Sequence, residues 1–78
     1  MKLVNIGFSN MVSADRIIAV VTSDSAPVKR MIQEAKTNNT LIDATYGRKT
    51  KSVLITDSDY LVISALESEE ILNRLEER

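Results

Sequence analysis

The chain contains no cysteine and no histidine, and only three of its 78 residues are aromatic. Without these two residue types there are no disulfide bonds, and the usual zinc and copper ligand sets cannot form. A catalytic site would have to be built from carboxylates, lysine, serine or threonine. The only glycines are Gly7 and Gly47, too few for a glycine-rich phosphate-binding motif. We therefore predict that the protein is not an enzyme, holds no metal or cofactor, and has no small-molecule substrate.

Long apolar runs are also missing. No stretch approaches the roughly 20 apolar residues that span a bilayer. The first six residues are too short and too polar to act as a secretory signal. We expect a cytoplasmic protein with no membrane partner.

The apolar residues that are present are mostly aliphatic. Hydrophobic residues make up 44% of the chain, yet its aromatics are only Phe8, Tyr46 and Tyr60. A domain of this size buries a limited fraction of its surface, so its margin of stability is small. Small domains without disulfides or metals commonly gain stability by associating with copies of themselves. We expect this chain to bury its surplus isoleucine, valine and leucine in a homo-oligomer.

Apolar runs predict several strands interrupted by two helices. We predict strands at residues 2–8, 16–22, 41–45, 51–56 and 60–66. The 16–22 strand is apolar on both faces, so it is expected to be central or covered on both sides. Many strands with few helices indicate the α+β class: a small, mostly antiparallel sheet with one amphipathic helix packed on it and a C-terminal helix.

The two helices have recognisable start and stop signals. Ser25 can accept a hydrogen bond as the N-cap of the first helix, and Pro27 is tolerated in its first turn. Asparagine tolerates the left-handed conformation used at helix ends, so the helix should end at Asn38 and Asn39. Ser68 can cap the second helix, which lies in an acidic C-terminal segment, residues 67–78. The apolar stripe of the first helix is predicted to consist of Val28, Met31, Ile32 and Ala35.

Positive charge is concentrated where the third predicted strand ends. The net charge of −1 argues weakly against a nucleic-acid-binding protein. However, three cations follow Gly47 closely: Arg48, Lys49 and Lys51. These cations are predicted on or beside a hairpin turn, where they could contact phosphate or could serve only as solubilising charge. Gly47 would let a phosphate approach the backbone closely. Arg16 precedes the second strand and could lie near the same edge.

Other polar and aromatic residues have less specific interpretations. Asp43 is expected to pair with a nearby cation. Residues 57–59 are predicted to form a turn between strands. Tyr46 could stack on a base or could pack against the turn. Asp15 could pair with Arg16 and reduce its positive charge.

Four blocks of the sequence resemble the RemA family, the bacterial extracellular matrix regulatory proteins. The blocks are NIGF at 5–8, the step Ser13-Ala14-x-Arg16, SAPVKRMI at 25–32 and LIDATYGR at 41–48; Asp15, inside the second block, stands where the family is expected to have a neutral asparagine. The similarity extends from about residue 3 to residue 66, in the order expected for one RemA-like domain over residues 1–78. The acidic segment after Glu67 is the least family-like part.

The resemblance implies a DNA-binding transcriptional regulator of biofilm-matrix and osmoprotection genes, associated with the bacterial nucleoid. It further implies a ring-shaped homo-oligomer whose rim binds double-stranded DNA. The family's basic positions correspond to Arg16, Arg48 and Lys49, and Lys51 extends the same cluster. Lys49 stands where arginine is expected and so lacks the bidentate fork. A non-catalytic oligomeric scaffold and an RNA- or nucleotide-binding module remain as alternatives.

Overall fold

The computed structural model describes residues 2–76, in which six strands and two α-helices follow one another. The elements are β1 (Leu3–Asn5), β2 (Met11–Ser13), β3 (Ile17–Thr22), α1 (Ala26–Thr37), β4 (Leu41–Ala44), β5 (Ser52–Thr56), β6 (Leu61–Ser64) and α2 (Ser68–Glu76). A 3₁₀ turn at Ala14–Arg16 joins β2 to β3. The predicted α+β class is confirmed. Glu77 and Arg78, at the end of the predicted acidic segment, lie outside the described residues.

The strands form two sheets. β1 and β2 pair as an antiparallel hairpin, and the other four strands lie in the order β3-β5-β6-β4. β5 is antiparallel to both of its neighbours, whereas β4 runs parallel to β6. The sequence patterns do not predict β2, because a three-residue strand is too short to show an alternation of apolar and polar residues.

β3 lies at one edge of the four-stranded sheet, yet both of its faces are covered. Ile17 and Val20 pack against one core cluster, and Val21 packs against the other. The sequence predicts that this strand is either central in the sheet or covered on both sides, and the structure supports the second alternative. The pairing with β5 is irregular between Ile17 and Ala19, and the bulged Ile18 is 67% exposed.

The core consists of two clusters on opposite faces of the sheet. Successive residues of a strand point to opposite faces, so Val53 belongs to one cluster and Leu54 to the other. The cluster under α2 and the hairpin contains Val4, Ile6, Ala44, Leu54, Val62 and Ile71. The cluster under α1 contains Val28, Ala35, Val53, Leu61 and Ile63. The sheet is thus enclosed between the two helices.

Local signals in the sequence define α1. The backbone N–H of Val28 donates to the Ser25 side chain at 3.3 Å, so Ser25 is the predicted N-cap. At the other end Asn39 has φ +59°, and the Thr40 N–H donates to the Ala35 carbonyl at 2.9 Å. This is the bond expected of a left-handed C-terminal cap. The predicted start, end and buried stripe of this helix are confirmed.

The connection from β4 to β5 is not a hairpin. β6 lies between these two strands, so residues 45–51 must cross the end of β6 before β5 begins. The predicted hairpin pairing around Tyr46 to Lys49 is wrong, because β4 pairs in parallel with β6 and not with β5. The crossing brings the cation-rich connection to the end of the sheet where β3, β4 and β6 all finish.

Candidate nucleic-acid interface

The cations follow a tight turn at Thr45–Arg48. The Arg48 N–H donates to the Thr45 carbonyl at 3.0 Å, and φ is +53° at Tyr46 and +78° at Gly47. A four-residue turn with positive φ at both central positions is of type I′. Glycine adopts this conformation without strain, whereas tyrosine does not. The turn therefore places a strained tyrosine directly before the first arginine of the cluster.

Asp43 fixes the start of this turn. Its carboxylate accepts hydrogen bonds from the Thr45 N–H at 2.9 Å and from the Thr45 hydroxyl at 2.6 Å. These bonds lower the pKa of Asp43, and the positive charge of Lys36 lowers this pKa further. The sequence predicts that Asp43 pairs with a cation, but its direct partner is buried Thr45, and Lys36 acts only as a weaker electrostatic influence.

The far end of the connection is fixed by the backbone. The Lys51 N–H donates to the Ser64 carbonyl at 2.9 Å, and the Ser23 N–H donates to the Lys51 carbonyl at 3.4 Å. The Ser23 hydroxyl also donates to the Thr50 carbonyl at 2.8 Å. Residues 50 and 51 are consequently bonded to the ends of both β6 and β3. Such a connection presents its side chains from a defined position.

We use the name basic loop for residues 46–51. Arg48 and Lys49 are exposed, and neither belongs to an ion pair within residues 2–76. Lys51 lies 3.6 Å from the Glu67 carboxylate, so part of its charge is compensated. A groove of about 360 Å³ next to the loop is lined by Phe8, Arg48, Lys49, Lys51, Ala65 and Leu66. The loop thus offers two uncompensated cations and one shared cation beside a concave surface.

An aromatic pair borders this groove. The rings of Phe8 and Tyr46 are stacked, with centroids 5.2 Å apart and planes inclined by 25°. The Arg48 guanidinium carbon lies 5.9 Å from the centre of the Phe8 ring, within the range of a cation–π contact. The sequence patterns predict no role for Phe8. Its position beside Gly7, like that of Tyr46 beside Gly47, is the signal that places both rings at turns.

Arg16 lies at the opposite end of the sheet. In the antiparallel register Ile17 faces Thr56 and Thr22 faces Ser52, so Arg16 and Lys51 are about six strand residues apart. At 3.3–3.4 Å per residue this separation is about 20 Å. The structure therefore brings Arg48, Lys49 and Lys51 together and leaves Arg16 apart from them.

Arg16 also has a carboxylate partner. Its Nε donates to Asp57 Oδ1 at 2.7 Å, and the Asp57 N–H donates to the Arg16 carbonyl at 3.0 Å. This contact raises the pKa of the Arg16 guanidinium above its ordinary value. Asp15, the partner considered from the sequence, forms no ion pair in the part of the chain that the structure describes. Because both side chains are about half exposed, water and salt screen the Arg16–Asp57 pair.

The described residues hold no metal cluster and no membrane-spanning helix. Among residues 2–76, no three acidic side chains lie close enough together to hold a metal ion. No helix in the same range has the length and apolar character needed to cross a bilayer. The basic loop with its aromatic pair is therefore the surface with the most distinctive chemistry in the described chain.

The fold and this surface define a small α+β protein that presents a fixed basic loop. Residues 3–75 match the family model described as RemA-like, extracellular matrix regulatory protein A-like, and the chain belongs to this family. The resemblance noted from the four sequence blocks is confirmed.

Bacterial relatives are similar over almost the whole chain. A protein of Dictyoglomus thermophilum is 60% identical over 76 residues, covering 97% of this chain and 89% of its own length. One from Moorella thermoacetica is 57% identical over 77 residues, covering 99% and 85%. One from Acetivibrio thermocellus is 56% identical over 75 residues, covering 96% and 81%. All three carry the name "putative regulatory protein".

Proposed function

We propose that this protein is a DNA-binding transcriptional regulator that acts as a ring-shaped homo-oligomer and contacts duplex DNA through repeated basic loops. The observation that carries the proposal is the exposure of Arg48 and Lys49, without carboxylate partners in residues 2–76, on a loop bonded to two strands. Membership of a family described as regulatory supports it. The contacting residues are Arg16, Arg48, Lys49 and Lys51.

The chemistry of these side chains favours phosphate contacts. The Arg48 guanidinium can donate two parallel hydrogen bonds to one phosphate, whereas Lys49 and Lys51 act as point charges. Phosphate contacts fix the position of a protein on DNA but carry no sequence information directly. Sequence preference then comes from the shape and bendability of the duplex.

Exposed apolar residues support self-association. Ile18 is 67% exposed, Ile42 is 47% exposed and Tyr60 is 45% exposed. The two outermost strands, β3 and β4, each pair with a single neighbour within the described residues. These residues and strand edges offer apolar contact area and free backbone hydrogen-bonding groups to a second copy of the chain.

A head-to-tail arrangement would also complete the basic surface. Arg16 and the basic loop lie at opposite ends of one subunit, so contact between unlike ends brings Arg16 of one copy towards the basic loop of the next. Head-to-tail contacts generate a closed ring when the rotation between subunits closes. Repetition around a ring multiplies the number of phosphate contacts and hence the affinity.

The genes under control belong to the same proposal. The family description names extracellular matrix regulation. On that ground we propose biofilm-matrix genes as targets, and the resemblance of the four sequence blocks suggests osmoprotection genes as a second group.

Arg48→Ala tests the proposal, with Arg30→Ala as a matched control on the exposed face of α1. We expect Arg48→Ala to lower the affinity for duplexes of unrelated sequence by similar factors. The slope of log affinity against log salt concentration should become less steep by about 0.9 for each phosphate that the variant no longer neutralises. Fluorescence anisotropy of labelled duplexes over a salt series measures both quantities. Equal affinities for Arg48→Ala and the parent protein would show that Arg48 does not contact the DNA. An equal reduction in Arg30→Ala would show that the loss reflects overall charge rather than the basic loop.

A further inference from the structure

Two turns of the same type meet at the edge of the groove. In the β1–β2 loop the Asn10 N–H donates to the Gly7 carbonyl at 3.0 Å, with φ +54° at Phe8 and +65° at Ser9. This loop is therefore a type I′ turn, like Thr45–Arg48. Each turn holds an aromatic residue at its first central position, and these two residues form the aromatic pair.

The aromatic pair is strained and exposed at the same time. Positive φ is a genuine outlier for a bulky residue, and asparagine or glycine would occupy either position more easily. Burial of the rings could offset this strain, but Tyr46 is 79% exposed and Phe8 is 47% exposed. Strained residues that the surrounding structure maintains concentrate at functional sites. The arrangement therefore favours a role in binding over a role in packing.

The surroundings of the pair indicate what it would bind. Arg48 lies near the Phe8 ring, and Lys49 and Lys51 line the same groove. An aromatic surface bordered by cations matches a nucleotide unit, which combines a flat base with a charged phosphate. Aromatic side chains beside cationic grooves bind exposed bases with little sequence preference, because every base has a π-face.

We propose that the Phe8–Tyr46 pair is a stacking site for a nucleobase that is unpaired or unstacked, while the neighbouring cations hold the adjacent phosphates. The inference rests on the proposed function and deepens it, because a base becomes available when duplex DNA is kinked or bulged. In this arrangement the cations supply most of the affinity for paired DNA. The aromatic pair adds affinity only where a base face is exposed.

The test compares three labelled probes of equal length: a fully paired duplex, a duplex with two unpaired bases at its centre, and a single strand. Tyr46→Asn removes the ring but suits the left-handed backbone, and Tyr46→Phe retains the ring. Arg48→Ala reports the contribution of charge. Sedimentation and thermal unfolding of each variant check its assembly and folding.

We expect the parent protein and Tyr46→Phe to bind the bulged duplex more tightly than the paired one. The affinity of Tyr46→Asn for the bulged duplex should be at least about fivefold lower than that of the parent protein. Its salt dependence should not change, because no charge is removed, and its thermal stability should not fall. A Tyr46-dependent preference for the single strand over the bulged duplex would support the stacking site and identify single-stranded nucleic acid as the source of the base.

Two results would overturn the inference, and they differ in what they say about DNA binding. If Tyr46→Asn binds all three probes like the parent protein while Arg48→Ala binds them weakly, the stacking site is wrong and the proposed function stands. If the parent protein binds none of the probes, both proposals fail.

Discussion

Two buried serines that face each other across β5 and β6 provide a direct test of the packing described above. Ser52 and Ser64 are paired in the register and are both fully buried. The Ser64 hydroxyl donates to the Ile6 carbonyl at 2.7 Å and accepts from the Leu66 N–H at 3.1 Å. The Ser52 hydroxyl has no hydrogen-bond partner among the described residues. The same substitution should therefore destabilise the protein at position 64 but not at position 52.

The magnitudes follow from the hydrogen bonds. Ser64→Ala leaves the Ile6 carbonyl and the Leu66 N–H without their partner, which should lower the free energy of unfolding by about 2 kcal/mol. Ser52→Ala removes a buried hydroxyl that satisfies nothing, so stability should stay equal or rise by about 1 kcal/mol. In a domain of this size 1 kcal/mol corresponds to about 4–8 °C in Tm. The two variants should therefore differ by about 8–24 °C in Tm.

Chemical and thermal denaturation followed by circular dichroism measures this difference. All samples need the same protein concentration, because self-association would add a stability that depends on concentration. The difference also bears on function, since Ser64 connects the residue before Gly7 to Leu66 in the groove. Equal destabilisation in Ser52→Ala and Ser64→Ala would refute the reasoning, because it would show that the Ser52 hydroxyl has a partner.

Three further predictions concern individual carboxylates. Asp57→Asn should free the charge of Arg16 and tighten DNA binding in an anisotropy titration. If neither Asp57→Asn nor Arg16→Ala changes the affinity for DNA, Arg16 does not belong to the interface. Glu67→Gln should free Lys51 and steepen the salt dependence of binding, and an unchanged slope would mean that Lys51 contacts no phosphate. Because the pKa of Asp43 is lowered on folding, its stabilisation is present above the ordinary aspartate pKa of about 4 and is lost as the pH falls through the lower folded value. Tm measured against pH should therefore fall less steeply in that acidic range for Asp43→Asn than for the parent protein, and parallel profiles would contradict this.

The elements that the sequence predicts best are those defined by neighbouring residues. The cap at Ser25, the apolar stripe and the left-handed Asn39 all lie within one stretch of chain, so α1 can be predicted with its ends. The order of strands depends on distant residues instead. Nothing in the sequence near Leu41–Ala44 indicates that β4 pairs in parallel with β6 rather than with β5, which follows it in the chain.

The same distinction applies to the candidate site. Arg48, Lys49 and Lys51 are close in sequence, so their clustering is visible without knowledge of the fold. The distance of Arg16 from them depends on the register between β3 and β5. The contact between Phe8 and Tyr46 depends on two loops from separate sheets, so no local pattern could predict it.

Sedimentation velocity of the purified protein, alone and with a duplex DNA fragment at low and high salt, tests the central claim most directly. We predict one species several times the mass of the monomer that takes up DNA at low salt and releases it at high salt. A monomer would contradict the proposed ring. An oligomer that ignores DNA at every salt concentration would contradict the regulator and favour a scaffold that binds another protein.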